Sequence, residues 1–333
     1  MSGPAARPGP IPWASPVDFA AHGESAGWAK PTAKDDGRFV RAEYPFKGRI
    51  DPDGPFQPAP GRYVLYISWA CPWAHRQAIV RQLKGLQDVV GLAVVDPLRD
   101  GRGWAFRPGQ HLTGDPYNHF TLLRQAYDAT RPGYSGHISV PVLWDCQTKV
   151  VVSNHFPDIS LDLGSQFDAW ADHGELDLYP ADLRWSIDAI NQRVYRDVNN
   201  GVYRCGFARG QAAYDEAVQA LFETLDWLEE RLRDRVYLLG DRLTEADVRL
   251  YPTLARFDSV YVTHFKTNLR RLVDYPNLWD YTRFLYQQPA FGGTTFFDQI
   301  KRHYFVTHPH LNPTRVVPVG PQLDWLAPTR RGG

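Results

Sequence analysis

Apolar residues alternate between strand and helix spacing over the first half of the chain and keep helical spacing over the second, which divides it into two kinds of structure. The run "YVLYIS" from Tyr63 is short, β-branched and aromatic, bounded by Gly61 and a Cys71-Pro72 stop, and predicts a buried strand. Pro72 suits the first turn of a helix, and "AHRQAIVRQLKGL" sets Ala78, Ile79, Leu83 and Leu86 at helical spacing before Gly85 weakens the pattern. "VVGLAVV" follows as a second strand, so strand, helix and strand form a parallel crossover. After an insertion from Asp96 to Gly136, "ISVPVLWD" and "KVVVS" predict an antiparallel hairpin, and a helix begins near His155. From Phe167 the period is helical. "YDEAVQALFETLDWLEERLRD" places Ala217, Leu221, Leu225, Leu228 and Leu232 on one face, with Glu229 and Arg233 spaced to pair four residues apart. "LTEADVRLYPTLARFD" opens with Thr244 and Asp247 at capping-box spacing, and further helical pieces surround "NLWDYTRFLYQQP".

The organisation this predicts is an extended segment over 1–60, rich in Pro and Gly with aromatics such as Trp13, Phe19, Trp28, Phe39 and Tyr44. An α/β unit over 61–166 and an all-helical unit over 167–307 follow, and a Pro-rich surface extension over 308–333 ends the chain. At 333 residues, more than one folded unit is expected. The 37 basic and 37 acidic residues cancel, which argues against nucleic acid or an anionic membrane as partner and for a small-molecule ligand. Three cysteines do not form a disulfide framework, no apolar run reaches membrane-spanning length, and the N-terminus lacks a signal-peptide pattern. A cytoplasmic protein with its thiols free for chemistry is expected.

Strand, Cys-Pro, helix puts Cys71 at a helix N-terminus, where unpaired N–H groups and the macrodipole favour a thiolate nucleophile. The position that would complete a C-x-x-C pair is Ala74, so any mixed disulfide on Cys71 must be resolved by a separate thiol molecule. A small buried structural cysteine is the competing reading of this stretch alone. Val140-Pro141 at the start of the hairpin supplies the second half of a thioredoxin-type arrangement, a cis proline facing the capping cysteine, although a proline at a strand's first residue has a purely structural use too. Cys146 and Cys205 read as inert. His303, His308 and His310 fit no zinc spacing, so no metal is expected, and "GRG" at 101–103 lacks the spacing and lysine of a phosphate loop.

The stretches "YVLYISWACPWAHRQAIVRQLKGL", "YSGHISVPVLWD", "VNNGVYRCGFARGQAAYDEAV", "LTEADVRL", "RFDSVYVTHFK" and "HYFVTHPHLNPTRVVPVGP" together resemble the glutathionyl-hydroquinone reductases, the Xi class of glutathione transferases. The likeness runs from about residue 30 to 325 in the same order. It implies a thioredoxin-like α/β N-terminal domain, an all-α glutathione transferase C-terminal domain and a homodimer. It also implies reductive removal of a low-molecular-weight thiol from an S-conjugated hydroquinone through a mixed disulfide on Cys71. By the same resemblance Tyr203 and Tyr304 serve the aromatic acceptor site as hydrogen-bonding and proton-delivering groups. Trp104 lines the thiol site, and the backbone of Val140, before Pro141, pairs with the thiol ligand. Packing alone is the rival role for each of these three aromatics.

Two departures from the family pattern bear on the thiol. Where the family reads Ser-Asn-Glu-Ser, this chain reads "SNHFPDI", so His155 and Phe156 replace the pair that grips the γ-glutamyl group of glutathione. Loss of one charge-assisted contact costs about 1.5 to 3 kcal/mol, roughly ten- to over a hundredfold in affinity. His137 stands where many relatives carry Arg, which leaves Arg124 to take a ligand carboxylate or to serve as a solvated helix arginine. The backbone N–H groups of the helix start near His155 can still hold a carboxylate of glutathione, while the Arg-rich, Lys-poor composition suggests an actinobacterial source, where mycothiol, which has no γ-glutamyl group, replaces glutathione; the thiol cosubstrate expected is glutathione or mycothiol. A general thiol transferase acting on proteins or aryl ethers, and a non-catalytic ligand carrier of the same fold, are the alternatives.

Overall fold

A computed structural model describes residues 10–25 and 36–331; Trp28 lies outside them. Strand β1 (Tyr63–Ile67) is buried at every position, and helix α1 (Pro72–Leu83) returns the chain to strand β2 (Gly91–Val94), which pairs with β1 in parallel. Strands β3 (Val142–Asp145) and β4 (Val150–Ser153) form the expected antiparallel hairpin, and β3 pairs antiparallel with β1. The sheet order is β2-β1-β3-β4. A seven-residue helix, α2 (Arg124–Thr130), sits within the segment read as an insertion and packs on β4. Helix α3 (Phe156–Ser165) starts one residue after His155 and packs on α1.

The rest of the folded body is helical: α4 (Arg184–Val194), α5 (Gly201–Gly206), α6 (Gln211–Arg231), α7 (Glu245–Arg256), α8 (Pro276–Tyr286) and α9 (Phe297–Thr307), with shorter turns between. The face predicted for α6 is the buried one, with Leu221, Leu225, Leu228 and Leu232 fully covered. Asp247 closes the capping box of α7: it accepts from Thr244 N–H at 2.9 Å, and also from Leu238 N–H at 2.9 Å and Tyr281 O–H at 2.7 Å. The expected Glu229–Arg233 pair does not form. Glu229 caps α8, accepting from the N–H groups of Asn277 and Leu278 at 2.8 Å each, and Arg233, beyond the end of α6, turns to Glu230. Orphan N–H groups at a helix start outbid an exposed ion pair worth a few tenths of a kcal/mol.

Helix α1 lies between α3 on one side and α7 on the other, and this explains a face that looks polar in sequence yet is buried. His75 bonds Thr294 Oγ1 at 2.9 Å and Arg256 Nη1 at 3.1 Å, and Gln77 donates to Phe156 O at 2.6 Å and Ser160 Oγ at 2.8 Å. The N-terminal segment runs along β4, where Gly48 N–H donates to Val152 O at 2.9 Å; a Cβ at Gly48 would stand 2.6 Å from that oxygen, so the close approach requires glycine. The C-terminal extension is surface-lying but fastened. Trp325 packs on Trp279, Tyr286 and Phe297 at 4.9 Å each, and Arg331 pairs with the buried Asp280 at 2.5 Å.

Candidate functional site

Cys71 is the N-cap of α1, with Pro72 at the first helical position. Its Sγ lies 3.4 Å from the carbonyl oxygen of Val140, and Val140-Pro141 is a cis peptide bond, as the thioredoxin-type reading expects. The thiol is buried. That burial pushes its pKa up, and the backbone N–H groups of Ala74 and Trp73, then the charges of Arg256 and Arg41, only partly offset it. The raised pKa favours the thiol form of Cys71, with Sγ directed at Val140 O, and opposes the thiolate that helix placement alone favours. Desolvation outweighs the helix N-terminus.

The loop that carries Cys71 is clamped from the helical side. Arg256, at the end of α7 and fully buried, donates to Trp69 O at 2.8 Å, Ala70 O at 3.1 Å and Pro252 O at 2.8 Å. A π-helical turn, Phe257–Tyr261, follows α7 directly, and a second, Tyr195–Asn199, precedes α5. These turns bring Tyr203 and Tyr261 to one place. Tyr203 and Tyr304 meet O–H to O–H at 2.6 Å, and Tyr261 bonds Tyr304 at 3.1 Å. Burial pushes the Tyr203 and Tyr304 phenols well above their ordinary value, so both stay neutral hydrogen-bonding groups.

Cys71, Tyr203, Tyr304, Trp104 and Val140 line one cleft, whose cavity is about 120 Å³. That is smaller than the few hundred Å³ usual for a small-molecule site, so a whole conjugate must extend into the mouth or move the walls. Five further lining groups were not legible as site residues: Arg41 and Tyr44 from the N-terminal segment, Arg99 from the loop after β2, and His303 and His308 around the end of α9. Arg41 is held by Asn200 Oδ1 at 2.8 Å and lies over the rings of Trp73 and Tyr203 at 4.6 Å each. His303 stacks on Trp104 at 5.3 Å and donates through Nδ1 to Pro97 O at 2.6 Å. Burial, then Arg99, pushes His303 down to about 3, and burial with Arg99 and Arg41 pushes the lining residue His137 down to about 4, so both are neutral at physiological pH. His308 bonds His264 at 3.0 Å.

Arg124, His155 and Phe156, expected at the thiol site, do not line the cleft. Arg124 is exposed on α2 and donates to Tyr134 O at 3.1 Å. His155 turns to Asp158 in the first turn of α3, Nδ1 to Oδ2 2.7 Å. Phe156 is an apolar ring that burial draws inward: it packs on Trp73 at 4.6 Å and Tyr44 at 5.3 Å, one layer behind the cleft wall. Pro141 acts through the peptide bond that presents Val140. Cys146 is half-buried and Cys205 buried, the latter pushed up to about 12 by burial, and neither reaches the cleft.

A four-stranded mixed sheet with a helix-capping cysteine opposite a cis proline, docked on a helical bundle, is the architecture of the glutathione transferase fold. Residues 211–283 match the family model of the glutathione S-transferase C-terminal domain. The chain is 48% identical over 292 residues to the glutathionyl-hydroquinone reductase PcpF of Sphingobium chlorophenolicum, covering 87% of this chain and 92% of that protein. The crystal structure of the glutathione-S-transferase Xi from Phanerochaete chrysosporium superimposes with a TM-score of 0.85 at 48% identity, covering 87% of this chain and 94% of that one. The glutathione-bound structure of YqjG, a glutathione transferase homolog from Escherichia coli K-12, gives a TM-score of 0.83 at 44% identity, covering 89% and 97%. The chain belongs to the glutathionyl-hydroquinone reductases, the Xi class of glutathione transferases.

Proposed function

We propose that the protein removes a low-molecular-weight thiol from S-conjugated hydroquinones through a mixed disulfide on Cys71. The observation that carries this reading is the placement of one thiol, with no partner cysteine in the cleft, opposite a linked pair of neutral tyrosines. The chemistry balances with what the cleft holds. The Cys71 sulfur bonds to the sulfur of the conjugate, the carbon–sulfur bond breaks, and the ring carbon takes a proton; the sulfur pair is oxidised and the ring reduced. A resting thiol, rather than a thiolate, carries the proton that the ring carbon needs, and Tyr203 and Tyr304 stand in the same cleft to bind the hydroxyls and pass it. A second thiol molecule then attacks the mixed disulfide and returns Cys71. Trp104 and the backbone of Val140 are the contacts assigned to the thiol.

The thiol in this reading is mycothiol rather than glutathione. No Asp or Glu lines the cleft among the described residues, whereas two arginines do, so a γ-glutamyl ammonium would lose its water with no carboxylate to replace it. Phe156, in the position that grips glutathione in the family pattern, is occupied with Trp73. Comparing turnover of mycothiol- and glutathione-conjugated hydroquinones tests the choice: preference for the mycothiol conjugate is expected, and equal or better turnover of the glutathione conjugate overturns it. The reading also places the protein in a reducing cytoplasm and pairs it as a homodimer; no helix among the described residues is long and apolar enough to cross a membrane.

A further inference from the structure

Arg99 lies in the loop after β2, between two carboxylates that ignore it. Asp96 Oδ2 takes Arg107 Nη1 at 3.2 Å, and Asp100 Oδ2 takes Arg102 Nη2 at 2.6 Å and Arg107 Nη2 at 3.3 Å. These pairs fix the loop and use up its negative charge. The Arg99 side chain turns the other way, into the cleft, where its guanidinium lies over the Trp104 ring at 4.6 Å and the residue is only 6% exposed. It makes no hydrogen bond or ion pair with any described residue, and its Nε is sealed from solvent without a partner.

Other buried guanidiniums of this molecule each keep at least one polar partner. Arg256 donates to three carbonyls and bonds His75, Arg107 is ion-paired twice, and Arg41 and Arg76 each donate to an asparagine, Asn200 and Asn199, although both also hold a nitrogen without a partner. A buried cation with only an aromatic face beneath it is expensive to keep, because cation–π attraction returns a fraction of the lost hydration. Unsatisfied buried groups of this kind are explained by what they await. The charge of Arg99 acts on Cys71, Tyr203 and Tyr304, and on His137, His303 and His308, so whatever it awaits arrives among the residues of the reaction.

We infer that Arg99 is the oxyanion receptor of the cleft, holding an anionic oxygen of the ligand beside Cys71 through a charge-assisted hydrogen bond. Two sources share that chemistry: a ring oxygen of the aromatic group, ionised as a phenolate, and a carboxylate, which a glutathione moiety carries and a mycothiol moiety lacks. Only the identity of this ligand rests on the reductase reading. The anion site itself follows from the unpaired guanidinium.

The test uses the full chain with two probes, 4-nitrophenol, whose phenolate is read by its colour, and methylthioacetate, a thioether carboxylate. Wild type should bind 4-nitrophenolate at least roughly tenfold more tightly than Arg99→Met does, with Arg99→Lys between them. If the thiol carboxylate is the natural source, the tenfold loss appears with methylthioacetate and not with 4-nitrophenolate. Either pattern supports the receptor. Removing an unpaired buried cation should leave the melting temperature of Arg99→Met equal to or above that of wild type, whereas a structural arginine would lower it. Anion binding by both probes that is absent from wild type, or unchanged in a folded Arg99→Met protein, overturns the inference. Anion binding that depends on Arg99 in a protein inactive on every hydroquinone conjugate would strike the reductase reading and leave the receptor standing.

Discussion

Cys71 stands under two opposed influences, the N–H groups of a helix start and the loss of water around its sulfur, and the second prevails. Alkylation of the ligand-free protein by iodoacetamide should therefore rise with a midpoint above that of an ordinary thiol, and a midpoint below it would mean that the cleft is wetter than described. Tyr203 and Tyr304 belong at the same scale. Replacing either with Phe removes one O–H from the pair at 2.6 Å, and kcat for a hydroquinone conjugate should fall roughly tenfold to hundredfold. Unfolding free energy should move by only about 1 kcal/mol, the net value of one buried hydrogen bond. Steady-state kinetics beside urea denaturation separates the two effects; a loss of stability with unchanged kcat would return both tyrosines to packing.

Among the elements, the strand, helix, strand and hairpin that hold Cys71 opposite Val140 were legible because their apolar periods and proline positions are local signals. The polar face of α1 was not: nothing in the local pattern marks His75, Arg76 and Gln77 as buried, and only the docking of α7 and α3 covers them and bonds them across units. Glu229 was assigned to Arg233 for the same reason, since a helix start arriving from another part of the chain leaves no mark near it. Asp247 was legible as a cap, and it does more than cap. Its carboxylate takes two backbone N–H groups and the Tyr281 hydroxyl in a fully buried site, so Asp247→Ala should cost about 3 kcal/mol or more in urea denaturation. The loop of Arg99 and Trp104 depends on Asp100. Burial alone would raise this carboxyl, but the Arg102 side chain, the N–H groups of Asp18 and Arg102, and Arg107 hold it down to about 2. A folded-state pKa below the unfolded value of about 4 contributes stability that is present above pH 4 and lost as pH falls toward 2. The gap in melting temperature between wild type and Asp100→Asn should narrow over that interval, and a gap that stays constant would show that the carboxylate charge is not what fixes the loop.

Taken whole, the cleft is assembled from four distant stretches: the N-terminal segment, the loops of the sheet domain, helix α5 with the residue after it, and the end of α9. Sequence likeness named Cys71, Trp104, Tyr203 and Tyr304 correctly as neighbours, because each sits in a motif. Arg41 and Arg99 were missed because a lone arginine in a Pro- and Gly-rich stretch gives no sign of where it will be buried. Arg124, His155 and Phe156 were placed at the ligand by analogy of position; they do not line the cleft, Arg124 being the exposed helix arginine of the alternative reading, His155 facing Asp158 and Phe156 packing on Trp73. Trp185, 83% exposed on α4, is the kind of surface that pairing would cover, and light scattering should give twice the chain mass of 37.9 kDa; a monomer would remove the homodimer from the account. The central claim is the mixed disulfide, and mass spectrometry reads it directly. Incubated with a thiol-conjugated hydroquinone and no second thiol, the intact protein should gain the mass of one thiol on Cys71 while one equivalent of free hydroquinone appears, and Cys71→Ser should do neither. Release of hydroquinone with Cys71 unmodified, or undiminished turnover by Cys71→Ser, would contradict the account.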